Sequence, residues 1–243
     1  MRIIKQALIV LFAIAVATPF AATAQNVSGV PGPVVRGDEK SAQFRVGIDP
    51  DNGDIVQRLH YQQALDDDTI ARLQLQYRTD IGEEPEADFV QFQIWRQLTP
   101  DRTPENRQNW QSALRLDLRL EADGPPGRVA LNWLNQFRLA DGLDARFFVQ
   151  GAVQIGDGAN DGILLQTRAS LRKRAEFGTF GLEQFSNYGS TSDFGAFADQ
   201  SHLVGPFVSV PVGDGWSAFG NALFGLTRGS DDVNIQLRQG RQF

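Results

Sequence analysis

With no cysteine and only two histidines, His60 and His202, this chain has few places for nucleophilic or metal chemistry. Thiolate sites and disulfide staples are excluded outright. The serine to weigh is Ser186, in the stretch Gln184-Phe185-Ser186-Asn187. A hydroxyl attacks only when a neighbouring base takes its proton. If residues 189–200 form the loop of a hairpin, Ser186 and His202 fall nearly opposite each other across it, within side-chain reach. Asp199 or Asp193 would then orient the imidazole. The bland reading of the same residues is a loop-edge histidine beside a small polar side chain. His60 stands alone among glutamines and Arg58, which suits a hydrogen-bonded polar neighbourhood better than a metal site.

The second chemistry is cationic. Of the 23 basic residues, 20 are arginine and three lysine, so the positive charge is nearly all planar, permanently ionised guanidinium. What must position these groups is a rhythm of period two. Leu114-Arg115-Leu116-Asp117-Leu118-Arg119-Leu120-Glu121 alternates strictly, and a strand sends successive side chains to opposite faces. The same alternation begins at Ser41 and recurs through Val90–Ile94, Val129–Arg138, Ala145–Gln154, Leu165–Arg172, Val204–Val212 and Trp216–Leu226 to Val233–Arg238. Turn chemistry such as Asp49-Pro50-Asp51-Asn52-Gly53 and Asp66-Asp67-Asp68 separates the runs. No amphipathic helix interrupts them.

The count is about twelve strands, with 10 to 14 possible, many of roughly 9–14 residues, long enough to cross a bilayer at a tilt. Soluble sandwiches also alternate, but their strands average about 5–6 residues. The expected fold is therefore all-β: a transmembrane antiparallel up-and-down β-barrel with short periplasmic turns. A mean hydropathy of −0.27 fits, because alternation hides the apolar face from the average.

Parity assigns the polar face to a lumen. It receives Arg45, Arg58, Arg72, Arg78, Arg115, Arg119, Arg138, Arg146, Arg168, Arg172 and Arg238, with Asp117 and Glu121 as the clear acidic partners. Isolated guanidinium groups are costly away from water, so this lumen would be hydrated, cross-linked to glutamine and glutamate, or occupied by an anion. Trp95, Trp110, Trp133, Trp216 and Tyr77 are expected in the aromatic girdles at the two membrane interfaces.

The ends of the chain complete the picture. Arg2 and Lys5, the apolar run Ala7–Ala17 and Ala22-Thr23-Ala24 read as a secretory signal over residues 1–24. Cleavage there would remove two positive charges and take the net charge from −6 to −8. Residues 25–40 read as an irregular N-terminal tail, and 41–243 as the barrel. Taken together, the signal, the long alternating strands and a last strand ending on Phe243 resemble Gram-negative outer-membrane β-barrels. The resemblance implies that the barrel-assembly machinery reads the final strand through Val233, Ile235, Leu237 and Phe243; Gln239 and Arg241 depart from the alternation. It also implies contact with outer-membrane lipids and lipopolysaccharide.

Both ends facing the periplasm would put the acid-rich connections near 49–54, 80–88, 123–126, 156–161, 189–200 and 228–232 outside. Asp49–Gly53 is similar to the start of a calcium loop, but its glycine comes one place early and no glutamate closes it. No metal or cofactor is expected, and the acidic balance argues against nucleic acid.

The expected role is non-enzymatic: a narrow conduit, a binder of anionic solutes or a structural envelope protein. One alternative is a lipid hydrolase. Outer-membrane phospholipases and lipid A deacylases place a histidine two residues before a serine followed by asparagine. Ser186-Asn187 is similar, but Gln184 stands in the histidine position, which leaves His202 as the base. Another alternative is an accessory barrel of an envelope secretion system.

Overall fold

The computed structural model describes residues 28–50, 53–80, 83–99 and 109–243. The proposed signal segment 1–24 lies outside them. Twelve strands form one closed antiparallel barrel: β1 Lys40–Ile48, β2 Ile55–Ala64, β3 Thr69–Thr79, β4 Glu86–Gln97, β5 Trp110–Glu121, β6 Gly127–Ala140, β7 Leu143–Ile155, β8 Leu164–Ala175, β9 Gly178–Ser190, β10 Ser201–Gly213, β11 Trp216–Gly225 and β12 Val233–Gln242. Each strand pairs with its sequence neighbours, and β12 pairs with β1 to close the ring. Closure leaves no unpaired strand edge, which is what a spanning sheet requires.

Lengths of 9 to 14 residues follow from uninterrupted alternation, and the turns between them from Gly, Asp and Pro. Lys40 and Phe243 meet at one rim, where the Phe243 amide donates to the Lys40 carbonyl at 2.9 Å. The two-residue turns Asp141-Gly142 and Asp214-Gly215 lie at that same rim, and the acid-rich connections lie at the opposite one.

The register decides what faces where. On β5, Leu114, Leu116, Leu118 and Leu120 are exposed on the outer wall, and so are Leu59 and Tyr61 of β2, Leu131 and Trp133 of β6 and Leu182 of β9. A continuous apolar exterior of this kind is the surface a barrel presents to lipid. The polar parity points inward, and Arg45, Arg58, Arg72, Gln74, Gln91, Gln93, Arg115 and Asp117 are all buried. Trp95 corrects the girdle assignment: it is 4% exposed and faces the interior, on the parity of Gln91 and Gln93. Trp110, Trp133 and Trp216 stay on the outside.

Candidate functional site

The lumen encloses a cavity of about 880 Å³. Twelve arginines line it, against four carboxylates, Glu39, Asp117, Asp144 and Asp231. The expected lumen residues Arg45, Arg58, Arg72, Arg115, Asp117, Arg119, Arg138, Arg146, Arg168 and Arg238 are among the lining side chains. Arg172 and Glu121 stand beside it on the inward parity, Arg172 over the Phe207 ring and Glu121 on Arg119. Arg36, Arg128 and Arg174 also line the cavity; Arg128 and Arg174 share the inward parity of Arg138 and Arg172 but lie just beyond the runs read from the sequence, and Arg36 belongs to the tail. Arg128 lies opposite Arg119 in the β5–β6 register, so two cations share one rung.

Three kinds of partner hold these cations. Asp117 takes Arg115 in a two-pronged bond, with Nε to Oδ1 at 2.7 Å and Nη2 to Oδ2 at 2.8 Å. Fork-to-fork geometry of this sort is the strongest arrangement a guanidinium finds. Glutamines supply the second kind: Arg58 donates to Gln76 at 2.6 Å, Arg146 to Gln136 at 2.8 Å, and Arg72 to Gln62 and Gln93. The third kind was not foreseen. Inward-facing rings lie under the cations, Phe89 under Arg119 at 3.7 Å, Phe219 under Arg238 at 3.8 Å, Trp95 under Arg72 at 4.7 Å and Phe148 under Arg168 at 4.8 Å. The negative face of each ring offsets part of the desolvation of its cation. Glu183 is a further inward acid, 4% exposed and held by Asn221 at 2.9 Å.

The N-terminal segment, read from sequence as an irregular tail, occupies this lumen. Val35 packs with Ala64, Ile70, Trp95 and Ala113 near the rim of the chain ends. Val30 packs with Phe185, Leu203 and Leu223 toward the opposite rim, so residues 30–35 run lengthwise inside the barrel. Wall arginines hold the segment: Arg168 donates to the Gly29 carbonyl and Arg146 to the Val30 carbonyl, each at 3.4 Å, and Arg58 donates to the Ser28 side-chain Oγ at 3.2 Å. Gly32 lets Arg146 come close, since a Cβ there would sit 2.8 Å from Arg146 Cζ. No periodic signal announces such contacts, because they use backbone carbonyls that every residue has.

His60 departs from expectation. It faces inward and is buried as expected, yet neither ring nitrogen finds a hydrogen-bonding partner among the described residues. Its neighbours across the β1–β2 and β2–β3 pairs are Gln43 and Gln74.

Ser186 and His202 lie in register across the β9–β10 pair, and Ser186 Oγ stands 2.7 Å from His202 Nδ1. They sit on the outer wall, on the parity of the exposed Leu182 and Val208 rather than that of Glu183 and Phe207. Asp199 is not the orienting group: its carboxylate binds Arg228, and Gln200 Oε1 meets His202 Nε2 at 3.2 Å instead. Asp193 forms a backbone bridge with Ser190. On β12, Val233, Ile235 and Leu237 share the outward parity and Phe243 is exposed. Arg241, which breaks the apolar alternation, stands over the Trp216 ring.

No protein-family model and no curated protein sequence matches the chain. Solved structures do. A KdgM porin in complex with disordered oligogalacturonate superposes with a TM-score of 0.59 at 8% identity, covering 84% of this chain and 98% of that one. The NanC porin gives 0.60 at 10% identity over 83% and 98%. An outer-membrane channel from Pseudomonas putida F1 gives 0.63 at 10% identity over 90% and 100%. At these identities the likeness is one of fold, and it agrees with the closed ring, the apolar outer wall and the polar interior. The protein is a twelve-stranded outer-membrane-type β-barrel, built like these porins and channels.

Proposed function

We propose that the protein is a narrow outer-membrane conduit that favours small anionic solutes, with residues 28–36 lying in the passage as its constriction. One observation supports this above the others: twelve arginines face four carboxylates around a cavity of about 880 Å³. A lumen so unbalanced attracts anions and repels cations, and its planar forks match carboxylate geometry. The KdgM porin, which shares the fold, is seen with oligogalacturonate, itself a chain of carboxylates. Here the reading rests on this chain's own side chains. Carboxylated solutes of a few rings or fewer are the class proposed, because the tail takes up part of the bore.

The same reading places the apolar wall in the outer membrane against phospholipid and lipopolysaccharide, and gives the strand ending on Phe243 to the assembly machinery. Planar-bilayer recordings of the mature barrel under a salt gradient test the conduit. The expected reversal potential has the sign of anion selectivity, and a variant lacking residues 28–36 conducts severalfold more. A cation-selective barrel, or one closed both with and without the tail, would overturn the reading.

A further inference from the structure

The outer wall carries a polar row that a lipid-facing surface does not need. Thr167, Ser186 and His202 lie side by side across β8, β9 and β10, in direct register. Outward positions around them are apolar: Leu171, Leu182, Val208 and Phe224. Polar groups facing hydrocarbon are costly and are kept where they have a task.

The bonding within the row is directional. Gln200 offers its Oε1 to His202 Nε2 at 3.2 Å, so that nitrogen carries the ring proton. Nδ1 is then bare and stands 2.7 Å from Ser186 Oγ, where it accepts the hydroxyl proton. The Gln184 amide donates to the same Oγ. Ser186 and His202 are both nearly buried, beneath Phe197, whose ring stacks on the imidazole at 4.6 Å and 20°. Tyr188 meets the imidazole edge-on at 5.6 Å, and its hydroxyl is bonded to Thr167 at 2.9 Å. Nucleophile, base and orienting group are thus in place, in the order that acyl transfer requires.

We propose that Ser186, His202 and Gln200 form an ester-hydrolysing site on the outside of the barrel, near the rim opposite the chain ends, that acts on acyl esters of membrane lipid. Thr167 and Ser186 also border the lumen cavity, but their side chains lie on the outward parity, from which lipid reaches them along the wall. Ser186 Oγ bonds to the acyl carbonyl carbon as its proton passes to His202 Nδ1, and the carbonyl electron pair moves onto oxygen. The Gln184 amide is the nearest side-chain donor to that developing oxyanion. Collapse restores the carbonyl and breaks the ester C–O bond, while His202 returns the proton to the departing alcohol. Water then adds to the acyl-serine, giving its proton to His202. The second collapse releases the fatty acid, and Ser186 regains a proton. Gln200 positions the ring throughout and does not touch the lipid. An amide in this place stabilises the imidazolium less than a carboxylate would, so turnover is slow.

Phospholipid and lipid A present the same acyl ester, and the test separates them. The full barrel in detergent is mixed with micelles of phosphatidylethanolamine or of lipid A, and fatty-acid release is followed by mass spectrometry. A fluorophosphonate probe reports the nucleophile in parallel. Release is expected from at least one lipid, with a probe adduct on Ser186. Ser186→Ala abolishes both signals, and His202→Ala lowers the rate about 100-fold or more. Both variants are checked for folding by heat-shifted gel migration. Gln200→Glu raises the basicity of His202, so the acid limb of the pH–rate profile moves to higher pH, a readout that a packing role alone would not shift. Phe197→Ala, which uncovers the ring, speeds labelling. Release from neither lipid, by wild type and by Phe197→Ala alike, overturns the proposal, as does undiminished release by Ser186→Ala.

Discussion

The backbone amide of Val35 donates to the side-chain oxygen of Gln97 at 2.7 Å, tying the N-terminal segment to the end of β4 across 62 residues of sequence. Gln97 is buried and its own amide is fixed on the Thr99 carbonyl at 2.7 Å, so the acceptor is held by a second bond besides the one to the tail. Gln97→Ala removes that acceptor and leaves an amide without its partner, at a cost of about 1 kcal/mol to docking. Val35→Asp adds the loss of an apolar contact of about 1.5 kcal/mol and buries a charge beside Trp95. Single-channel records should therefore show larger and more frequent open levels for Gln97→Ala, and more so for Val35→Asp. Identical records in all three proteins would mean that the tail does not limit passage.

Arg115 and Asp117 test how dry the lumen wall is. They are two residues apart on β5, hence on one face, and both side chains are nearly buried, at 6% and 4% exposure. Asp117→Asn leaves the guanidinium with a weaker, neutral acceptor. Breaking a buried pair from one side costs on the order of 3 kcal/mol. Urea unfolding of the refolded barrel, followed by tryptophan emission, should show a loss near that size. The double change Arg115→Met with Asp117→Leu should recover most of it. A loss below about 1 kcal/mol for Asp117→Asn would mean that lumen water supports Arg115 unaided.

The wall was readable and its contents were not. Strict alternation at Leu114–Glu121 dictates a two-faced strand, and repeating it around a ring leaves only the choice of which face points in. Charge settles that choice for Arg115 and Asp117, which is why parity found the arginines. Parity puts Trp95 inward with Gln91 and Gln93, whereas its residue type alone points to the girdle, and there parity is the better guide. Inward rings such as Phe89, on the parity of Gln91 and Gln93, and Phe148, on that of Arg146, look misplaced until the cation over each is seen. The tail was opaque for a different reason. Val30 and Val35 are ordinary valines, and the arginines that hold the segment grip its carbonyls. The pairing of Ser186 with His202 followed from hairpin register. Gln200 did not, since sequence chemistry points to the neighbouring Asp199 and only geometry shows that carboxylate engaged with Arg228.

At the rim opposite the chain ends, Asp54 and Asp80 share Arg78, whose Nη2 and Nε reach them at 3.4 and 2.8 Å. Burial first, and the nearby Asp80 second, push the Asp54 carboxyl above its ordinary range; Arg78 opposes both. A carboxyl raised on folding favours the folded state at low pH, and that contribution is lost as pH rises through its folded value. Asp54→Asn should therefore match wild type in urea at pH 3 and be the more stable of the two at pH 7. Arg78→Gln should move the Asp54 titration, followed by carboxyl carbon NMR, to still higher pH. A titration in the ordinary range in both proteins would contradict the burial of Asp54.

The terminal ring separates assembly from stability. Phe243 is 65% exposed, and its amide donates to the Lys40 carbonyl, a bond that any residue would make. Arg241 stands 5.4 Å from the ring centres of both Phe243 and Trp216 and holds the end of β12 against β11. Little apolar area is removed from water by the Phe243 ring, so Phe243→Ala should change the unfolding free energy of the refolded barrel, measured in urea, by under about 0.5 kcal/mol. In cells the same variant should reach the outer-membrane fraction severalfold less, because a ring that contributes little to the fold is free to serve as the mark read during assembly. Arg241→Leu, which restores the apolar alternation at the cost of the cation clamp, should assemble at least as well as wild type while losing up to about 1 kcal/mol. Equal outer-membrane yields for Phe243→Ala and wild type would remove Phe243 from the assembly signal and leave it as a cap on the closing strand.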